Sequence, residues 1–174
     1  MDLSGRRCVV VGGGPVANRK ARKLLQARAE VVVISPEILP ELESISVEKH
    51  RRRYETGDLD GAYLAFAATN SREVNASVSS EAKELGIPVN VADKPVEGDF
   101  ALPATLRRGG LQVAISTGGA SPTLARRIRA ELEKTFGPEW AGIVEGYGKT
   151  RGSGSEPDEE LEGEVVRCLS RLSG

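Results

Sequence analysis

Apolar residues in the first half of the chain gather into short unbroken runs, with amphipathic stretches between them. Cys8–Val11, Val31–Ser35, Tyr63–Thr69 and Pro88–Ala92 each read as a strand. Runs this continuous suit parallel strands that are covered on both faces. Between the first two, Pro15 to Arg28 reads as a helix. Ala17, Ala21, Leu24 and Leu25 share its apolar face, while Arg19, Lys20, Arg22 and Lys23 lie mostly off it. Pro36 ends the second run, and Ser46–Tyr54 could add a third strand. Ser71–Leu85 reads as a helix that Gly86 stops. Alternation of strand and helix up to Ala92 predicts a parallel sheet with right-handed crossovers.

The pattern then changes. Phe100–Leu106 and Leu111–Thr117 are strand-like runs around Arg107-Arg108-Gly109-Gly110, a hairpin signal. A helix follows Pro122, with Leu124, Ile128, Leu132 and Phe136 recurring every four residues on one stripe. Pro138–Tyr147 reads as a short helix. Thr150–Glu160 reads as a polar linker, and Leu161–Leu172 as a short amphipathic helix. These readings divide the chain into residues 1–113, 114–149 and 150–174. The second region is an apolar hairpin-plus-helix with few partners in so short a chain, which points to a homodimer.

The junction of the first strand and helix carries the sharpest chemical signal. Val11 is followed by Gly12-Gly13-Gly14-Pro15-Val16-Ala17, a G-x-G-x-x-A pattern between strand and helix. Gly12 permits the turn, Gly14 lets a pyrophosphate approach the backbone, and Ala17 lets helix pack on strand. N–H groups at the helix start favour an anion there. The fold class is therefore α/β: a Rossmann-like parallel sheet that binds a dinucleotide, with an appended hairpin-plus-helix and a short helical C-terminal tail. At the end of the second strand, Ser35 or Glu37 can bond a ribose hydroxyl, and no Arg follows directly to hold a 2′-phosphate. NAD is favoured over NADP on that ground.

Thr69-Asn70 and Asp93 end two further strands on the carboxyl side, where doubly wound sheets bind ligands. Asn70 or Ser71 can also cap the following helix. Asp93 can act as a general base or hold a metal, or it can be a turn residue bonded to its own backbone. Ser121 before Pro122 reads as a helix N-cap, and the preceding glycines could present N–H groups to an anion near Arg126, Arg127 and Arg129.

Composition narrows the field. Lys and Arg number 24 against 25 Asp and Glu, a net charge of −1, which argues against a global electrostatic mode of nucleic-acid binding. No apolar run approaches membrane-spanning length and no signal segment opens the chain, so a cytoplasmic protein is expected. Cys8 and Cys168 form no metal-ligand spacing. His50, the single histidine, excludes a His-based metal cage within one chain, and the adjoining Arg51-Arg52-Arg53 reads as a solvated edge.

Taken in order, four segments resemble the precorrin-2 dehydrogenase family, the N-terminal module of siroheme synthase. They are V-V-G-G-G-P-V-A-N-R-K-A at Val10–Ala21, A-A-T-N at Ala67–Asn70 with Asn75 following, N-V-A-D at Asn90–Asp93, and S-T-G-G-A-S-P-T-L-A-R-R-I-R at Ser116–Arg129. The resemblance implies an NAD-binding domain, a dimerisation region and oxidation of precorrin-2 to sirohydrochlorin. Some members also insert ferrous iron; a non-catalytic dinucleotide- or tetrapyrrole-binding module would not need the carboxylate at Asp93. Asp93 matches the family's proposed active-site aspartate, implicated in both reactions. Ser121 matches a serine phosphorylated in some members, and Pro15, Val16, Pro36 and Glu37 match cofactor-contacting positions. The substrate is a tetrapyrrole rich in carboxylates, for which Lys94, Gly118, Gly119, Ser121 and Arg126 are candidate contacts. Family members usually carry a substantial helical module after the dimerisation region. The polar stretch after Thr150 implies a reduced wall here, and the lack of a methyltransferase region implies methylation by another protein.

Overall fold

A computed structural model describes residues 1–170. It divides into two compact units, Met1–Ala101 and Leu102–Gly174. Both strands of the hairpin therefore belong to the second unit rather than being split at residue 113. Leu172 and the rest of 171–174 lie outside the described residues.

The first unit is a five-stranded parallel sheet in the order β3-β2-β1-β4-β5. Its strands are β1 (Arg7–Val11), β2 (Glu30–Ile34), β3 (Glu48–His50), β4 (Leu64–Ala67) and β5 (Val89–Val91). The helices are α1 (Pro15–Gln26), the short α2 (Pro40–Glu43) and α3 (Arg72–Glu84). The order places β1 at the centre, with the strand sequence reversing direction between β1 and β4.

Alternate residues of each strand face opposite layers, and both layers are apolar. Cys8, Val10, Val31, Val33, Leu64 and Phe66 pack with Ala17, Ala21 and Leu24 of α1. Val9, Val11, Val32, Ile34, Ala65 and Ala67 pack with Val78 and Ala82 of α3. Burial on both faces explains why these strands read as unbroken apolar runs. Each such Val, Ile or Phe contributes about 1.5–3 kcal/mol relative to exposure. Phe66 is fully buried and meets Phe100 edge-on at 5.5 Å. Asn90 is a buried polar residue in this layer, as is Lys20 of α1. Asn90 accepts from Lys20 and donates to the Phe100 carbonyl at 2.7 Å.

The third strand is shorter than Ser46–Tyr54 and α2 was not foreseen. The strand lies at the sheet's edge, where side-chain pattern constrains the backbone least, and α2 is a single turn that places Leu42 in the core beside α1. The α3 boundaries match expectation: Ser71, not Asn70, caps the helix by accepting from the Val74 N–H at 3.3 Å, and Gly86 follows it at φ +67°.

In the second unit, β6 (Ala104–Arg108) and β7 (Leu111–Ile115) form an antiparallel hairpin across Gly109-Gly110, with Leu106 opposite Val113. Helix α4 (Pro122–Thr135) packs on the hairpin. Its expected stripe is only partly covered: Ala125 is buried, but Leu124 and Ile128 stay 49% and 37% exposed. Helix α5 (Trp140–Ser153) runs past Tyr147 and takes in the start of the expected linker, and α6 (Glu159–Ser170) follows. Trp140, Ile143 and Cys168 form a small core with Leu111, Phe136, Tyr147, Leu161 and Val165. Gly154, at φ +69°, ends α5. Among the described residues no helix is long and apolar enough to cross a membrane, and no cluster of three or more His, Cys, Asp or Glu could hold a metal.

Candidate active site

The carboxyl ends of β1, β2 and β4 open into a cleft of ≈ 770 Å³. The Gly12–Pro15 turn, Ser35–Leu39, Arg53-Tyr54 and Ala68–Ser71 form its walls. A smaller hollow of ≈ 400 Å³ lies at the amino ends of the strands, between Arg7, Glu30 and Glu48. Parallel α/β sheets bind ligands at the carboxyl edge, which makes the larger cleft the candidate site.

Each glycine of the turn has its own task. Gly12 sits at φ +128°, and a Cβ there would overlap the Ala68 carbonyl oxygen. Its N–H bonds the Ile34 carbonyl at 2.9 Å, which ties the turn to β2. At Gly14 a Cβ would meet nothing within 4 Å, so hydrogen at this position leaves open space for a ligand. Gly13 was not singled out from the sequence. A Cβ on it would overlap the Glu37 carbonyl oxygen and lie 2.8 Å from Ser35 Oγ. Its own carbonyl accepts from Leu39 N–H at 3.0 Å, so glycine here lets the β2 loop close over the turn. Gly14 is the N-cap of α1 and supplies no capping side chain, and Pro15 at the first helical position has no N–H. The first turn of α1 thus offers uncapped N–H groups beside Val16 and Ala17, as an anion site requires.

Ser35 and Glu37 lie together on the β2 side. Ser35 is buried and donates its hydroxyl proton to the Glu37 carbonyl at 2.7 Å, which leaves only its lone pairs for a ligand. Glu37 and Pro36 are exposed at the rim, so the Glu37 carboxylate is the better ribose partner. The Arg run divides: Arg51 pairs with Glu43 at 2.6 Å and Arg52 grips Asp58 at 2.8 and 2.5 Å, while Arg53 lines the cleft. Tyr54 beside it donates to Glu81, which also accepts from Gly57 and Leu59 N–H groups and anchors this loop.

Thr69 and Asp93 end β4 and β5, and one buried side chain joins them. Asn75 Oδ1 accepts from Thr69 N–H at 3.1 Å and Thr69 Oγ1 at 2.8 Å. Its Nδ2 donates to the Thr69 carbonyl at 3.1 Å and to Asp93 Oδ1 at 2.9 Å. Asp93 Oδ2 accepts from Arg72 Nη1 at 3.1 Å. Desolvation pushes the Asp93 carboxyl up. Hydrogen bonds from Arg72, its own backbone N–H and Asn75, with the Arg72 charge, outweigh that and hold it below the ordinary carboxylate value. The turn reading and the chemical one therefore coexist at Asp93. Arg72 also pairs with Glu97, which holds Lys94 at 2.7 Å. Arg72 carried no signal in the sequence.

In the second unit, Ser121 caps α4 by accepting from the Leu124 N–H at 3.1 Å, and its own N–H bonds Thr117 Oγ1 at 3.0 Å. Gly118 and Gly119 take φ +60° and +89°, with open space at both Cβ positions. Arg126 donates to Thr123 Oγ1 at 3.0 Å.

Fold and cleft together define a dinucleotide-binding domain of the doubly wound class. Residues 1–104 match the family model described as putative NAD(P)-binding, and residues 108–135 match the one described as sirohaem biosynthesis protein central. The chain belongs to this NAD(P)-binding family, in the precorrin-2 dehydrogenase group that its motifs resemble, and its cofactor is NAD. A siroheme synthase of Thioalkalivibrio sulfidiphilus is 42% identical over 168 residues, covering 92% of this chain and 34% of that protein. One of Methylobacillus flagellatus is 45% identical over 137 residues, 76% of this chain and 29% of that protein. The chain thus spans about a third of the length of these relatives. Among solved structures, SirC, a precorrin-2 dehydrogenase, superposes with a TM-score of 0.75 at 26% identity, over 99% of this chain and 95% of that one. That superposition takes in α5 and α6.

Proposed function

We propose that the chain oxidises precorrin-2 to sirohydrochlorin with NAD, in siroheme biosynthesis. The observation that carries this reading is the bond network that ties an ionised carboxylate, Asp93, to the wall of the dinucleotide cleft through Asn75. NAD, when bound, accepts the hydride from the reduced macrocycle. The first turn of α1 and Gly14 receive the pyrophosphate, Glu37 the ribose, and Thr69 forms the wall opposite β2. Asp93 takes the proton that the macrocycle loses from a position conjugated with the carbon that gives up the hydride, and the electron pair left behind forms the new double bond. Arg72 and Asn75 keep that carboxylate charged and oriented, as a base requires before the proton moves.

Substrate carboxylates are assigned to Gly118, Gly119, Ser121 and Arg126, and to Lys94 once it leaves Glu97. Support comes from a glycine turn with open space around it, at the N-terminus of α4. The functional form is a homodimer, supported by the uncovered Leu124 and Ile128 on α4. A cytoplasmic site of action agrees with two free, buried cysteines.

Anaerobic incubation of the protein with precorrin-2 and NAD tests the reading. NADH absorbance and the sirohydrochlorin spectrum should rise together. NAD binding with no NADH formed would leave a binding module in place of the enzyme.

A further inference from the structure

We infer that Asn75 is a positioning residue for the dehydrogenation, which fixes Asp93 and the Thr69 wall of the dinucleotide cleft in one arrangement. This rests on the proposed role of Asp93. The side chain is fully buried, and both ends of its amide are used. Its oxygen accepts twice from Thr69, and its nitrogen donates to the Thr69 carbonyl and to Asp93.

A purely structural amide at this position needs only the Thr69 bonds, which close the β4–α3 connection. The bond to Asp93 is different. It reaches eighteen residues along the chain to the next strand. It also ends on an acceptor that is 36% exposed on its side chain and has water and Arg72 available instead. A buried donor aimed at a partly exposed carboxylate fixes orientation more than it contributes to stability. The acceptor cannot turn without leaving a buried N–H unpaired, and that cost is high. One amide thereby fixes two things a hydride transfer needs together: where the cofactor's wall stands and which way the carboxylate points. A misplacement of about 1 Å is enough to cost ~10²-fold in rate. The other charged groups around Asp93 are Arg72 on α3, with Glu97 and Lys94 behind it. Arg72 holds the other oxygen of Asp93, but it is partly exposed and shared with Glu97, whereas Asn75 is fully buried, so the amide is the stiffer of the two restraints.

The test is a double-mutant cycle of Asn75→Ala and Asp93→Asn, with kcat measured at saturating NAD and precorrin-2. NAD affinity is measured separately, and kcat is referred to the NAD-binding sites present. Asn75→Ala should lower kcat about tenfold to a hundredfold, part of the ~10²–10⁴ a positioned base contributes, and should weaken NAD binding through Thr69. On the Asp93→Asn background the same change should lower kcat less than about threefold while still weakening NAD, because no carboxylate remains to orient. A merely structural amide would lower kcat by the same factor on both backgrounds, and that result overturns the inference. Unchanged kcat in Asn75→Ala overturns it as well. Should Asp93→Asn itself keep wild-type turnover, the base assignment falls and this inference with it. If Asn75→Ala does not fold, Asn75→Ser, too short to reach Asp93, takes its place in the cycle.

Discussion

Arg72 Nη1 stands 3.1 Å from Asp93 Oδ2, linking the first turn of α3 to the end of β5. The guanidinium favours the ionised carboxylate, and Asn75 holds its other oxygen.

The pH dependence follows from this pair. The folded protein holds Asp93 below its ordinary value of 3.8. A carboxyl with a depressed value in the folded state stabilises the fold above its unfolded value, and that contribution is lost as pH falls through the folded one. Exposure keeps the effect on stability small. The effect on rate is direct. Arg72→Gln should move the acid limb of the kcat/KM profile to higher pH, because a charge that favours the carboxylate has gone. An unmoved limb would separate Arg72 from the protonation state of Asp93.

Adjacent glycines should fail in opposite ways. Gly14→Asp has room for its side chain and an ordinary φ of −86°, so the protein should fold. Its carboxylate occupies the phosphate position, and NAD affinity should fall about tenfold or more, 1.4 kcal/mol per factor of ten. Gly13→Ala meets the Glu37 carbonyl and should cost about 1–3 kcal/mol of stability. Calorimetric titration with NAD and denaturant melts of both variants separate the two effects. A Gly14→Asp protein that binds NAD normally would remove this turn from the account.

The apolar side chains left uncovered on α4 give a test of assembly. Sedimentation of the wild type at micromolar concentration should show a dimer. Leu124→Glu with Ile128→Glu should shift it towards monomer, with little loss of stability in residues 1–101. A dimer indifferent to both changes would place the interface elsewhere.

The parts of this molecule written in backbone terms were legible in the sequence. Glycine spacing encodes conformation locally, so Gly12 and Gly14 were found where the cleft lies. Strand ends are set by runs of apolar residues, so Thr69 and Asp93 were placed at the carboxyl edge. Contacts made by fold geometry were not legible. Arg72 reaches Asp93 over a separation of 21 residues, through the angle at which α3 leaves β4. The role of Gly13 depends on the path of the β2 loop. Arg53 sits in a run of three arginines whose members differ only in what the folded loop puts beside them. The α4 stripe was legible as apolar, but periodicity reports an apolar stripe and not the partner that covers it. After Thr150, glycine and serine suggested a linker, whereas packing of Trp140, Tyr147 and Leu161 extends α5 through Ser153.

The most direct measurement is the turnover of Asp93→Asn set against its NAD affinity. The substitution keeps the shape of the side chain and an oxygen that can still accept from Asn75, but removes the carboxylate. Turnover should fall about 10²–10⁴-fold, as for loss of a positioned general base. The dissociation constant for NAD should stay within about twofold, since one RT of free energy, ~0.6 kcal/mol, is less than a factor of three, and the Gly12–Ala17 turn is untouched. Circular dichroism should show a folded protein. Near-wild-type NADH formation in a folded Asp93→Asn variant would mean that another group or water removes the proton, and would contradict the assignment of Asp93 as the base.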